Sequence, residues 1–194
     1  MPKLWEDTIE THRRSVRDAA LDAAGTLVEE LGLRGVTMSA IAERTGIGRA
    51  TLYRYFSDAD AILAAWHERH VTGHIERLSR LAEGEGAAIE RLEALLIAFA
   101  RTQQEQPRDE IAATLHAVPH VGAARHQLAA LISGLISEAA EDGAIRTDVT
   151  AGELAEYCLH AMAAAGVLRS RAAVRRLVTV TMTGLHAPQA PSAP

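Results

Sequence analysis

The chain has 194 residues, of which 48% are hydrophobic, so it can bury a sizeable core in one or two domains. No apolar run is long enough to span a bilayer, MPKLWEDTIETHRRS is too polar for a secretory signal, and the single Cys158 excludes an internal disulfide, so we expect a cytoplasmic protein that does not bind membranes. The net charge of -5 excludes broad electrostatic binding of nucleic acid and restricts any positive field to a local patch.

The first predicted element is a helix from about Thr11 to Leu31, with residues 1–10 as a frayed arm or its early start. Gly32 is expected to end this helix as a C-cap. Its apolar residues keep helical spacing, namely Val16, Ala20, Ala23, Leu27 and Leu31.

The stretch from Gly32 to Leu63 predicts two short helices joined by a tight turn. Thr37 is the capping candidate of the first helix, and Gly46 supplies a positive φ in the turn. The second helix is predicted from Arg49 to Phe56. This arrangement is typical of a helix-turn-helix, whose second helix enters the major groove of DNA, although an ordinary helical corner with a solvated polar face gives a similar composition. Within residues 32–56, four arginines stand against one glutamate, a local charge of +3.

The spacing of residues in this stretch resembles the DNA-binding motif of the tetracycline-repressor (TetR) family. The resemblance covers about Ala19 to Leu63. Gly48 stands where the family often has Ser, which removes a side-chain cap, and Ala59 stands where it usually has a phosphate-binding Lys. The matching pattern is Thr37-x3-Ile41-Ala42-x3-Gly46 followed by Thr51-Leu52-Tyr53-x-Tyr55-Phe56.

The resemblance implies a role for each residue of the motif. Arg49 would read a base edge, Ala50 would contact a thymine methyl group, and Arg54 would serve either bases or phosphates. The phosphate anchors would be Thr37, Thr51, Tyr53 and Tyr55. The family resemblance also implies a homodimer that binds a palindromic operator in double-stranded DNA and releases it when a small molecule binds.

A long helix is predicted after the motif, capped by Ser57 and Asp58 and ending near Leu81. Three histidines lie on its apolar side, where helical spacing also places Leu63, Trp66, Leu78 and Leu81. They are interpreted as hydrogen-bonded core residues, as donors to a polar effector, or as ligands of a metal ion. The histidines are His67, His70 and His74.

Five further helices are predicted, at Ala87–Gln104, Asp109–Val118, Gly122–Glu141, Thr150–Ser170 and Arg171–His186. The last two carry apolar stripes that face either the core of one subunit or, as the family resemblance implies, the matching helices of a second copy. The stripes are Leu154, Cys158, Ala161, Ala165 and Leu168, and Val174, Leu177, Val178, Thr181 and Leu185.

Together these elements predict an all-α protein of about nine helices. Residues 1–56 form a helix-turn-helix DNA-binding domain with a three-helix head, residues 57–187 a larger bundle for ligand binding and dimerisation, and residues 188–194 a disordered, proline-rich tail. The effector-lining residues, chosen by size, helical face and the position of pockets in similar proteins, are Trp66, His70, His74, Phe99, His116, Tyr157, His160 and Met162.

Other functions have weaker sequence support. The alternatives to an effector-released regulator are a metal-responsive repressor that uses His67, His70 and His74, and a helical interaction module that does not bind DNA. An enzyme is not predicted, because Cys158 and His160 lie two apart on a helix and their side chains diverge. Neither a cofactor nor a resident metal is predicted.

Overall fold

The described residues form an all-α fold, as the sequence predicted. The computed structural model describes residues 3–105 and 119–187. The predicted helix Asp109–Val118 and the predicted tail at 188–194 lie outside these residues. Within them, two 3-10 helices, Leu33–Gly35 and Ala164–Val167, accompany eight α-helices: α1 (Lys3–Leu31), α2 (Met38–Thr45), α3 (Arg49–Leu52), α4 (Ala59–Ala82), α5 (Ala88–Glu105), α6 (Pro119–Glu141), α7 (Ala151–Ala163) and α8 (Arg171–Leu185).

The chain divides into two compact units, Met1–Val71 and Thr72–Pro194. The first unit extends past the predicted 1–56 head because the first turns of α4 pack against α1. Ile62 is fully buried, and the guanidinium of Arg69 donates to Asp22 Oδ1 at 2.6 Å. In the part of the chain that the structure describes, none of the helices is both long enough and apolar enough to cross a bilayer.

The helix ends follow the predicted capping residues. Gly32 and Gly46 adopt φ values of 72° and 71°, in the left-handed region that glycine enters without steric cost. Asp58 begins α4, since its Oδ1 accepts a hydrogen bond from the Ala61 N–H at 2.8 Å. A capping box that the sequence analysis did not identify begins α7, where Thr150 and Glu153 bond to each other's backbone N–H.

Three helix boundaries differ from the predictions. α3 ends at Leu52 rather than Phe56, although the Phe56 N–H still bonds to the Leu52 carbonyl at 3.0 Å. α6 begins at Pro119 rather than Gly122, because proline fits the first helical position, where no N–H is needed. α7 ends at Ala163 rather than Ser170, and Ser170 instead caps α8 by accepting from the Ala173 N–H at 3.1 Å.

The core of the second unit contains the two apolar stripes of α7 and α8. The stripe residues with exposed fractions of only 0–1% are Cys158, Ala165, Val174, Val178, Thr181 and Leu185. They pack with fully buried side chains of α5 and α6, including Leu92, Leu96 and Ile132. The interpretation of these stripes as the dimer face is therefore wrong, since helical periodicity identifies an apolar face without identifying what covers it.

Burial makes the single cysteine chemically inert in the folded chain. The Cys158 side chain is fully buried, and desolvation raises the pKa of its thiol to about 12. At pH 8 only roughly one thiol in ten thousand would be ionised. We expect a disulfide reagent to modify Cys158 only after denaturant unfolds the chain. Rapid modification of the native protein would contradict this placement.

Candidate nucleic-acid interface

The helix-turn-helix is held by a small apolar core in the first unit. Ile41 of α2 and Leu52 of α3 are fully buried, and Phe56 is nearly so. The guanidinium of Arg17 on α1 lies 5.2 Å from the centroid of the Phe56 ring, a cation–π contact. These contacts fix α2 and α3 against α1, so the polar side chains of α3 are presented on a rigid support.

Hydrogen bonds of one threonine fix the turn between α2 and α3. Thr45 Oγ1 donates to the Ile41 carbonyl at 2.7 Å and accepts from the Ile47 N–H at 3.2 Å. The Gly46 N–H bonds to the Ala42 carbonyl at 2.9 Å and ends α2. Ile47 is half-buried at the corner between the two helices.

The first predicted phosphate anchor, Thr37, is the N-cap of α2. Its hydroxyl oxygen accepts the Ala40 N–H at 3.1 Å, and the residue is exposed. The hydroxyl proton is not used by this cap, because a hydroxyl carries one donor beside its acceptor lone pairs. Thr37 can therefore cap the helix and donate to a phosphate oxygen at the same time.

The other predicted DNA-contacting residues all reach the surface. Arg49, Ala50, Tyr53 and Arg54 are exposed, whereas Thr51 and Tyr55 are half-buried, and these six occupy α3 and the turn after it. Gly48 precedes α3 without a side-chain cap, as its departure from the family pattern predicted. Arg49 therefore stands at the first position of an uncapped helix, the end nearest the bases in this kind of motif.

The local positive charge is smaller than the sequence suggested. Arg44 makes two hydrogen bonds to Glu30, at 3.0 and 2.5 Å. This bidentate contact lowers the pKa of the Glu30 carboxyl and raises that of the Arg44 guanidinium. The two charges therefore offset each other. Among the described residues, no carboxylate lies within 4 Å of Arg34, Arg49 or Arg54, so these are the arginines of residues 32–56 whose charge is not offset.

A contact that the sequence analysis missed involves Ser39 on α2. Its Oγ lies 3.4 Å from Arg49 Nη1. Both residues are exposed, and ten positions separate them in the sequence. This pairing depends on the angle between α2 and α3, which the sequence pattern alone does not give.

Two of the predicted effector-lining residues belong to the first unit. The rings of Trp66 and His70 stack with centroids 5.6 Å apart and an interplanar angle of 28°. Trp66 also packs closely against Gly25 of α1, where an added Cβ would come within 2.7 Å of the indole Nε1. The small residue in α1 thus makes room for this indole.

The remaining predicted lining residues fall into two groups in the second unit. His74 Nδ1 lies 3.3 Å from Thr102 Oγ1 on α5 and accepts from Arg77 Nη2 at 2.9 Å. Phe99 of α5 is half-buried against the core, and Met162 is fully buried. Tyr157 and His160 are instead exposed on α7. His116 lies outside the described residues.

No metal centre is evident in the described ranges 3–105 and 119–187, where no three His, Cys, Asp or Glu side chains converge to hold an ion. The three histidines of α4 have different environments. His67 is buried, His74 is half-buried and His70 is exposed.

Both parts of the chain match known sequence families. Residues 20–66 match the family described as bacterial regulatory proteins of the tetR family, a range that contains α2 and α3. Residues 108–187 match the C-terminal domain of SbtR-like transcriptional regulators. The chain belongs to the TetR family.

Individual relatives agree with this assignment. The TetR-family chain is 35% identical over 99 residues to the HTH-type transcriptional regulator BetI of Klebsiella pneumoniae (strain 342). That match covers 50% of this chain and 47% of BetI, so the chain spans about half the length of the curated relatives it matches.

Solved structures extend the TetR fold to most of the chain. A TetR/AcrR-family regulator from Thermobifida fusca covers 88% of this chain and 98% of its own, with a TM-score of 0.74 at 23% identity. A regulator from Saccharomonospora viridis, solved in complex with choline, covers 88% and 96%, with a TM-score of 0.69 at 22% identity. The TetR architecture therefore includes the helices that follow the helix-turn-helix.

Proposed function

We propose that this TetR-family chain is a ligand-responsive, sequence-specific transcriptional regulator, acting as a repressor. It binds a palindromic operator as a homodimer and is released when a small molecule occupies the domain at residues 57–187. The observation that carries the proposal is the exposure of Arg49, Ala50, Tyr53 and Arg54 on a rigid helix-turn-helix within the tetR family match.

The small positive field favours a dimer. With Arg44 neutralised by Glu30, a single head offers few cations to the phosphate backbone. Non-specific affinity depends on such contacts and falls steeply with salt. Two heads on one dimer add their contacts and read a palindrome, with half-sites one helical turn of roughly 34 Å apart, or a multiple of it.

The outward face of α7 and α8 is the proposed dimer face, because the inward stripes of these helices are buried in the unit itself. Two large apolar residues are exposed on these helices, Tyr157 at 46% and Val180 at 67%, and Val167 of the 3-10 helix between them is 72% exposed. A Cβ added at Gly184 would meet the Tyr157 hydroxyl at 3.5 Å, so α7 and α8 form one continuous surface at this point. Apolar groups exposed in this way favour a protein partner.

The proposed effector site uses the partly buried predicted residues. His74 and Phe99 provide a polar and an apolar group from α4 and α5. Tyr157 and His160, predicted beside them, fit the dimer face better than an enclosed site because both are exposed. Only 4% of residues are aromatic, which favours an aliphatic or polar ligand over a large planar one. The choline complex of the Saccharomonospora viridis relative supports a small polar ligand.

The test of the proposal is a selection from random double-stranded DNA at about 150 mM salt, followed by sequencing of the retained DNA. The proposal expects enrichment of a palindrome. A folded chain that retains no sequence above background would contradict it and favour an interaction module without DNA binding. If the chain were a metal-responsive repressor, adding a metal ion would change the amount of DNA retained.

Base reading by Arg49 and phosphate anchoring by Tyr53 predict different defects. Arg49→Ala should weaken binding to the selected operator by about 1–3 kcal/mol and relax base preference at one position of each half-site. Tyr53→Phe removes a hydroxyl that bonds to phosphate, so it should weaken all DNA by a similar factor. Competition titrations with operator and random DNA measure both effects. If Arg49→Ala lowered the affinity for operator and for random DNA equally, Arg49 would not read a base.

A further inference from the structure

The predicted base-reading side chain has a neutral partner. Arg49 Nη1 lies 3.4 Å from Ser39 Oγ, and a guanidinium only donates, so the serine hydroxyl accepts. Ser39 is exposed in the first turn of α2, outside the apolar core that joins α2 to α3. Its side chain is therefore not required for packing.

Other arginines of the chain are held differently. Arg44 is paired with Glu30 and Arg69 with Asp22, each through a carboxylate. A carboxylate occupies two N–H groups of the guanidinium and offsets its charge. A hydroxyl accepts one N–H of the five and leaves the charge unchanged. The Nε and Nη2 edge of Arg49 thus stays available for a bidentate contact with guanine O6 and N7.

Arg49 needs such a partner because little else restrains it. Gly48 supplies no side-chain cap, and nothing lies within 4 Å of the position that a Cβ there would occupy. A long arginine side chain loses rotamer freedom when it binds a base edge. A hydrogen bond made before binding reduces that loss.

We infer that Ser39 is a positioning residue for Arg49 and so determines base preference at the position that Arg49 reads in each half-site. The inference rests on the proposed DNA-binding function. It assigns to Ser39 an effect on sequence discrimination that acts through Arg49, with no contact between Ser39 and DNA required.

The test combines Ser39→Ala with Arg49→Ala in a double-mutant cycle, using the operator selected by the unaltered protein and random DNA as competitor. Ser39→Ala should weaken operator binding roughly three- to tenfold, as expected for loss of one hydrogen bond, and leave random-DNA affinity unchanged. The loss should vanish in the Arg49→Ala background. A selection repeated with Ser39→Ala should relax the same half-site position that Arg49→Ala relaxes.

Two control variants sharpen the test. Ser39→Thr keeps the hydroxyl and should retain most of the discrimination. Ser137→Ala makes the same change at an exposed position of α6 in the second unit and should leave both affinities unchanged. Thermal unfolding of each variant checks that the fold is intact.

Two results would overturn the inference. One is an equal loss for operator and random DNA that persists in the Arg49→Ala background, which would make Ser39 a phosphate contact. The other is unchanged affinity and base preference in Ser39→Ala. Failure of the unaltered protein to select any sequence would instead show that the proposed DNA-binding function is wrong, and the role of Ser39 would fall with it.

Discussion

Leu52→Ala should abolish operator binding and destabilise the first unit by about 2–5 kcal/mol. Leu52 of α3 is fully buried, so the shortened side chain leaves a cavity in the core of the helix-turn-helix. Such a loss is a large part of the 5–15 kcal/mol that typically stabilises a domain. The side chains from Arg49 to Tyr55 would then lose their fixed support.

Denaturant unfolding followed by tryptophan fluorescence measures this effect, because both tryptophans, Trp5 and Trp66, belong to the first unit. Leu31→Ala is the matched control, since Leu31 lies in the same unit and is 61% exposed. Its cost should stay below roughly 1 kcal/mol. If Leu52→Ala were as stable as Leu31→Ala and bound the operator normally, the assignment of Leu52 to the core would be contradicted.

If the proposed dimer forms through the outward face of α7 and α8, Val180→Glu should leave the chain monomeric and lower operator affinity at least roughly a hundredfold. Val180 is 67% exposed in the single chain, so the substitution leaves the fold intact. In a two-fold interface the same residue occurs on both copies, and each new carboxylate would be desolvated without a partner. Each head would then bind its half-site independently.

Sedimentation velocity gives the oligomeric state, and operator titration gives the affinity. Ala94→Glu adds the same charge to an exposed position of α5 and serves as the control. It should remain dimeric. If the Val180→Glu protein were dimeric and bound the operator normally, the interface would not be the outward face of α7 and α8.

Local rules allowed much of the fold to be predicted from the sequence. Gly32 and Gly46 were expected at helix ends because of their backbone freedom, and both have positive φ. Asp58 was expected to cap α4 and does so. Ile41, Leu52 and Phe56, three apolar positions of the family pattern, form the buried core of the helix-turn-helix.

The missed features depend on tertiary contacts. The Arg44–Glu30 pair joins residues 14 positions apart on different helices, so no local pattern indicated that this charge was already compensated. The contact of Ser39 with Arg49 depends on the angle between α2 and α3. The stripes of α7 and α8 were correctly identified as apolar, yet which partner covered them was decided by the packing of α5 and α6.

The most direct test of the account is a titration of the selected full palindrome, a single half-site and a scrambled duplex at about 150 mM salt, with the stoichiometry determined on each. A sequence-specific dimer should bind as two copies per palindrome, bind the half-site much more weakly, and bind the scrambled duplex more weakly by roughly a thousandfold or more. Equal affinity for all three duplexes would contradict sequence-specific binding by a dimer of this TetR-family chain.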